Sequence, residues 1–419
     1  MIDRLSSIKT RREKRWVYLW AVVVWLFGIA LLLVGGEIVM RWVRPDLVPS
    51  HQLENIPDPF IGWRFRSCQE VVGKTEHGER RHTCVNALGF PDTDHDLEKS
   101  PHTTRIVFLG DSFTAATHVD MDDSFVAVTR CTLQTSEPTR RFETLNFGQS
   151  GFGTANEYLT WKYYAASFQP DSVVLAFFLG NDVANNLLDY PTESFCSPKF
   201  EVMNGQVRST PFHIGLSAEA KQRQNRNWFY RAFLAPSLLY QQYRLFARDI
   251  RNMFFLKRSR KVRAYDLKKH FWKRSYAPID WQVYLHDPSP EFETAWQVTE
   301  ALLVKLRDEV HAAHASFYVA LLPGMEAIDP NGFRASFNRY PGIEQYHFDL
   351  DWPRQRLLSF LARQKIPTID LVPVFQAELK KTSVFDLYFK FDRHFSVYGH
   401  RLAGEAIAHH WWGLERGHE

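Results

Sequence analysis

Five short apolar runs, rich in Val, Ile, Leu and Phe and separated by longer helical stretches, organise the chain from Arg105 to its end. They lie near Ile106 to Leu109, Phe142 to Phe147, Ser172 to Leu179, Phe317 to Leu322 and Pro367 to Leu371. Runs this short and this continuously apolar read as strands buried on both faces, and their alternation with helices is the pattern of βα units around a parallel sheet. The expectation is an α/β fold, a flavodoxin-like three-layer α/β/α sandwich with a five-stranded parallel sheet, over residues 105–413.

A different pattern opens the chain. From Trp16 to Gly36 there are 21 residues without a charge, about the length that crosses a hydrocarbon core of roughly 30 Å. A cleaved signal peptide would have a shorter apolar stretch and a small-residue cleavage site, and a buried core helix would carry a polar stripe. The reading is a transmembrane helix over 16–40. Arg4, Lys9, Arg11, Arg12, Lys14 and Arg15 precede it against Asp3 and Glu13, so residues 1–15 form a cytoplasmic basic tail and everything beyond about Arg41 lies outside. That makes the chain a single-pass inner-membrane protein with a periplasmic or otherwise extracytoplasmic body.

Residues 41–104, rich in Pro, Gly and polar side chains and including Asn86-Ala87-Leu88-Gly89-Phe90, read as an irregular lead-in of short loops and edge strands. Between the third and fourth strands the chain takes a long excursion, a helical insertion at about 215–290. Its stretch from Lys221 to Arg274 holds sixteen Lys and Arg against Asp249 and Asp266. That segment alone is +14 in a chain of +4, leaving −10 for the rest. Aromatics such as Trp228, Phe229, Tyr240, Tyr243, Phe271 and Trp272 are interleaved with the charges. Such a segment fits anionic lipid headgroups or an acidic polymer, and equally a helical cap whose aromatics pack inward while its cations are solvated. Nucleic acid suits the charge but not the compartment.

The 45% hydrophobic content excludes a disordered chain. Cys68, Cys84, Cys131 and Cys196 all follow the span, an even number on the side where disulfides persist, and Cys68 with Cys84 is the preferred pair. Four unrelated buried thiols are the alternative. No Cys-x-x-Cys occurs, so a structural metal is not expected.

The chemistry sits at the strand ends. Gly110-Asp111-Ser112-Phe113 follows the first run, which puts a hydroxyl where open α/β sheets build their sites. A serine needs an imidazole base, a carboxylate to orient it and donors for an oxyanion. Phe391-Asp392-Arg393-His394 near the carboxyl terminus supplies the carboxylate and the base on one loop. The second strand ends in Asn146-Phe147-Gly148-Gln149-Ser150-Gly151 and the third in Gly180-Asn181-Asp182, where a glycine N–H and an asparagine amide face the same side of the sheet. Asp182, Asn185 and Asn186 read as loop-fixing. His400 follows Gly399 at a helix start without a nearby carboxylate and reads as a capping or packing residue.

In this order the motifs resemble the SGNH hydrolase superfamily, the GDSL esterases, in a membrane-anchored bacterial form, over roughly Arg105 to Ile407. The resemblance implies Ser112 as nucleophile, His394 as base, Asp392 as its orienting carboxylate, and an oxyanion hole from the N–H groups of Ser112 and Gly151 with the Asn181 amide. Gly148 is the runner-up for the second-block glycine, and Asp111 is implied to be structural. One departure stands out: the common form places the aspartate three residues before the histidine, a position held here by Phe391. The Asp-x-His spacing is similar to that of relatives acting on bacterial polysaccharides.

The implied function is an ester hydrolase or O-acyltransferase working through an acyl-serine, with neither metal nor organic cofactor. Asn86 to Phe90 looks like a segment of members linked to surface polysaccharides, which points to O-acetyl groups of a carbohydrate. A lipid esterase at the membrane surface and a non-catalytic glycan- or partner-binding envelope protein are the alternatives. Activity should rise with pH as the base loses its proton, near the imidazole reference value of about 6.5.

Overall fold

The computed structural model describes residues 2–43, 53–187, 195–215, 237–240, 243, 279–336, 343 and 346–416. They belong to two units: Leu53–Asn225 with Asn252–Glu419, and Met1–Gln52 with Arg226–Arg251.

The larger unit begins with two antiparallel hairpins, β1 (Asn55–Asp58) with β2 (Gly62–Phe65) and β3 (Glu70–Lys74) with β4 (Arg80–Cys84). Then follow β5 (Thr103–Gly110), β6 (Arg141–Gly148), β7 (Ser172–Phe178), a hairpin of β8 (Lys199–Met203) with β9 (Gln206–Thr210), β10 (Ser316–Leu322) and β11 (Thr368–Asp370). The five strands read from the sequence form one parallel sheet in the order β11-β10-β7-β5-β6.

Why those strands are apolar runs is visible in the packing. Val107, Leu109, Val173, Leu175 and Phe177 face a layer that includes helices Thr154–Tyr163, Pro290–Ala312 and Trp352–Arg363. Their neighbours Ile106, Phe108, Val174 and Ala176 face Phe125–Ser136 and Val397–Arg416 on the other side. Both faces are covered, so the central stretches of these strands are apolar on both sides. The result is the α/β/α sandwich, with the flavodoxin-like strand order, that the alternating pattern predicts. The strand order reverses beside β5, which opens a crevice at the carboxyl ends of β5 and β7.

The lead-in is more regular than its composition shows. Ile61, Trp63 and Phe90 are fully buried in the main core. The Trp63 indole N–H donates to the Ser150 carbonyl at 3.0 Å, and the Asn156 amide donates to the Ile61 carbonyl at 2.8 Å. Asn86 to Phe90 is a turn: the Asn86 side-chain oxygen accepts the N–H groups of Leu88 at 3.1 Å and Phe90 at 3.0 Å. Gly89 has φ +88° there, and a Cβ would fall 2.6 Å from the Phe65 carbonyl oxygen. The turn delivers the Phe90 ring against Phe147 and Tyr164.

The four cysteines are free thiols, which corrects the expected Cys68–Cys84 pair. The β3–β4 register sets Cys84 opposite Glu70, and Cys68 lies two residues before that position in a left-handed conformation with φ +58°.

In the smaller unit one helix runs Ile2–Val43, and its Trp16–Val43 portion is long and apolar enough to cross a membrane. At 1.5 Å per residue its 28 residues span about 42 Å. Near its end the Glu37 carboxylate pairs with Arg41 and accepts the N–H groups of Leu238 at 3.0 Å and Leu239 at 3.1 Å. The Lys and Arg side chains of the expected basic insertion lie outside the described residues.

Candidate active site

The strand β5 ends at Gly110, and Asp111 starts the short helix Ser112–Ala115 by accepting the N–H of Phe113 at 2.8 Å. The neighbouring tips must be glycine. A Cβ on Gly110 would lie 2.1 Å from Thr114 Oγ1, and one on Gly148 would lie 2.3 Å from the Ala115 nitrogen. This close crossing holds Ser112 at the open edge of the sheet.

The second half of the site comes from the loop after Tyr388. An isolated bridge between Tyr388 and Phe395 and the Phe389 N–H to His394 carbonyl bond at 2.9 Å close that loop. Within it Arg393 takes φ +71°, which folds the chain back so that Asp392, only two residues from His394, meets its Nδ1. With Nδ1–H directed at the carboxylate, Nε2 carries the lone pair. That atom lies 2.7 Å from Ser112 Oγ. Burial opposes the charge on Asp392, but His118 when protonated and the bond from His394 outweigh it and hold its carboxyl well below the usual range.

Two residues support this pair that no motif marks. The His118 ring stacks on His394 at 4.0 Å with its Nδ1 3.8 Å from Asp392 Oδ2, while Phe113 packs on the same imidazole at 4.7 Å. Burial, helped by the neighbouring His394, pushes His118 down to about 3, so it stands there as a neutral ring. Glu76, in the turn between β3 and β4, accepts the backbone N–H groups of Lys390 at 2.9 Å, Phe391 at 3.1 Å and Asp392 at 3.2 Å. It thereby fixes the loop that presents Asp392.

On the opposite wall Gly151 has φ +78°, and Asn185 donates to the carbonyls of Gly151 at 3.3 Å and Phe152 at 2.9 Å. The N–H groups of Ser112 and Gly151 have no internal acceptor among the described residues. Asn181 follows Gly180 just past the end of β7, and its amide lies beside Asp111, whose charge it favours. Ser112, Gly151, Asn181, Asp392 and His394 all line one open cavity of about 500 Å³, with Phe178, Trp281, Tyr284, Glu326 and Arg393 around them. The five residues chosen from the sequence thus meet in one place.

Beneath the cavity lie three fully buried carboxyls. Burial pushes Asp111 up to about 6, against the Phe113 N–H and His394, which pull it down. Burial and mutual repulsion drive Glu157 and Asp182 well above the ordinary range. Neither Glu157 oxygen has a hydrogen-bond partner, whereas Asp182 accepts the Phe178 N–H at 2.7 Å. Such a group is held as the neutral acid.

The remaining candidates lie outside the cavity lining, apart from Asn185 on its wall. Gly148, the runner-up, is not among the residues lining the cavity and serves the close approach already described. His400 is buried, accepts the Phe125 N–H on Nδ1 at 3.2 Å and is kept neutral by burial. Asn186 donates to Thr299 Oγ1 at 2.8 Å, and Asp182 and Asn185 likewise bind neighbouring loop groups. Asn86 to Phe90 is also absent from the cavity lining.

No protein-family model and no curated protein matches this chain. Among solved structures it is similar to Axe2, an acetylxylan esterase from Geobacillus stearothermophilus, at 15% identity over 73% of this chain and 93% of that one, with a TM-score of 0.38. It is also similar to LAE5, an α/β hydrolase enzyme from the metagenome of Lake Arreo, Spain (14% identity, 75% and 96% covered, TM-score 0.36). A third is a Desulfitobacterium hafniense protein assigned to the G-D-S-L lipolytic family (14%, 73% and 99%, 0.34). Likeness at this level leaves the functional argument to the geometry of the site.

Proposed function

We propose that the chain is a membrane-anchored serine ester hydrolase or O-acyltransferase of SGNH type. The observation that carries this reading is the 2.7 Å contact of Ser112 Oγ with an imidazole whose other nitrogen meets Asp392. His394 Nε2 takes the hydroxyl proton as Oγ attacks the ester carbonyl, and Asp392 stabilises the imidazolium that forms. The oxyanion gathers donors from the N–H groups of Ser112 and Gly151 and the Asn181 amide, all three at the cavity wall. His394 then protonates the leaving alcohol, which departs from an acyl-serine. Water or a second hydroxyl, deprotonated by the same imidazole, releases the acyl group, so hydrolysis and transfer share every residue.

An O-acetylated carbohydrate is the substrate class that fits best. Trp281 and Tyr284 give the cavity wall aromatic surface, while Asn185, Glu326 and Arg393 give it polar groups, a mixture suited to a sugar ring. The apolar Trp16–Val43 helix favours a second reading, a lipid ester drawn from the bilayer. The basic residues before that helix support an amino terminus in the cytoplasm and a catalytic unit outside.

The test uses the full chain in detergent with para-nitrophenyl acetate, para-nitrophenyl palmitate and an acetylated oligosaccharide. Acetate release lost in Ser112→Ala is expected, by about 10³-fold or more. A preference for the palmitate would favour the lipid reading. Folded protein that turns over none of the three would overturn the enzymatic one.

A further inference from the structure

Away from the cavity, the β3–β4 hairpin gathers three side chains of the kinds that bind late transition metals. The antiparallel register pairs Glu70 with Cys84 and Val72 with His82. Residues two apart on a strand share a face, so His82, Cys84 and the cross-strand Glu70 all project to one side. Their neighbours Val71 and Thr83 are buried on the other side.

The convergence is on a single nitrogen. His82 Nε2 lies 2.6 Å from Glu70 Oε1 and 3.4 Å from Cys84 Sγ. One donor atom from each of the three residues lies within 4.8 Å of the other two. The Cys84 backbone is held in place by its N–H bond to Met121 Sδ at 3.0 Å.

We propose that Glu70, His82 and Cys84 form a Zn²⁺-binding site on this hairpin. Zinc takes sulfur at about 2.3 Å, imidazole nitrogen at about 2.0 to 2.1 Å and carboxylate oxygen at about 2.0 to 2.2 Å, which around a tetrahedral centre puts donors roughly 3.5 Å apart. Small side-chain rotations bring the three atoms to that spacing. On binding, the Cys84 Sγ–H bond breaks, its proton goes to solvent and an Sγ–Zn bond forms. His82 binds through Nε2 with its proton on Nδ1, Glu70 binds as the carboxylate, and water fills the fourth position. Two negative ligands then neutralise the ion. Calcium and magnesium are disfavoured, because they require six or more ligands, nearly all oxygen. Among the described residues the other cluster with such donors, His118, Asp392 and His394, is the candidate active site itself.

The experiment is alkylation of the full chain in detergent, under reducing conditions, with and without Zn²⁺, read residue by residue by mass spectrometry. Zn²⁺ is expected to slow modification of Cys84 at least about tenfold and to leave Cys131 unchanged. His82→Ala and Glu70→Gln should each raise the Zn²⁺ concentration needed for protection about tenfold, whereas His394→Ala should not. Co²⁺ should give a thiolate-to-metal absorption band that disappears in Cys84→Ser. The proposal fails if Cys84 is unprotected in the folded wild type, if protection survives His82→Ala intact, or if Cys84 is recovered in a disulfide with Cys68.

Discussion

Removing Glu76 tests whether the hairpin holds the catalytic loop in working order. Its carboxylate accepts three consecutive backbone N–H groups, ending at Asp392 itself. At about 0.5 to 1 kcal/mol for each partly exposed bond, losing all three costs about 1.5 to 3 kcal/mol. If that energy holds the Asp392 loop in register, the fraction of molecules with Asp392 on His394 falls roughly 10- to 150-fold. Glu76→Ala is therefore expected to lower kcat for para-nitrophenyl acetate by that factor while KM moves little. Glu76→Gln, which keeps one carbonyl acceptor, should fall between. The assay measures kcat, KM and melting temperature for the three proteins. A Glu76→Ala enzyme within twofold of wild-type kcat would refute the reasoning, as would a loss accounted for by unfolded protein.

Other substitutions probe the rest of the site. Glu157→Gln should stabilise the fold more as pH rises. A carboxyl held above its unfolded value of 4.5 stays protonated in the fold while the unfolded chain ionises, a cost that grows by about 1.4 kcal/mol per pH unit until the folded group titrates. Urea unfolding at pH 5 and pH 7 measures it, and a gap between variant and wild type that does not widen with pH would count against a neutral Glu157. Asp392→Asn should cut kcat by about 10³-fold or more with little change in KM, because the imidazole loses its orienting acceptor; steady-state kinetics decide. Gly148→Ala should cost about 3 kcal/mol of stability or more in denaturant titration, since the added methyl meets the backbone of Ala115 rather than a movable side chain.

How much of this was readable beforehand follows from the range of the forces involved. The five sheet strands were legible because two-sided burial writes itself as continuous apolar runs; Ser112 and Asn181 were legible because they sit where those runs stop, and His394 because a carboxylate stands two residues before it. The hairpins were not. Strands of four or five residues such as Gly62–Phe65 carry too little periodicity to stand out among Pro and Gly. Glu76 gave no local sign, since its partners lie more than 300 residues away and are backbone groups. His118 had one weak signal, an imidazole shortly after the serine block. The cysteine pairing failed because register is invisible in the sequence: it places Glu70, not Cys68, opposite Cys84. The unusual Asp-x-His spacing became intelligible with the left-handed turn at Arg393.

The separation between the two halves of the site sets a clock. Ser112 and His394 are 282 residues apart, while the base and its carboxylate share one short loop near the end of the chain. On the proposed mechanism, a synthesis rate of about 5 to 20 residues per second leaves Ser112 without its base for roughly 14 to 56 seconds. Throughout that interval the serine is an ordinary alcohol, so a nascent or truncated chain has no hydrolytic power over the esters around it. On the proposed mechanism, hydrolytic power requires Asp392 and His394 to meet Ser112, with the helix Val397–Arg416 that follows them packed on the sheet.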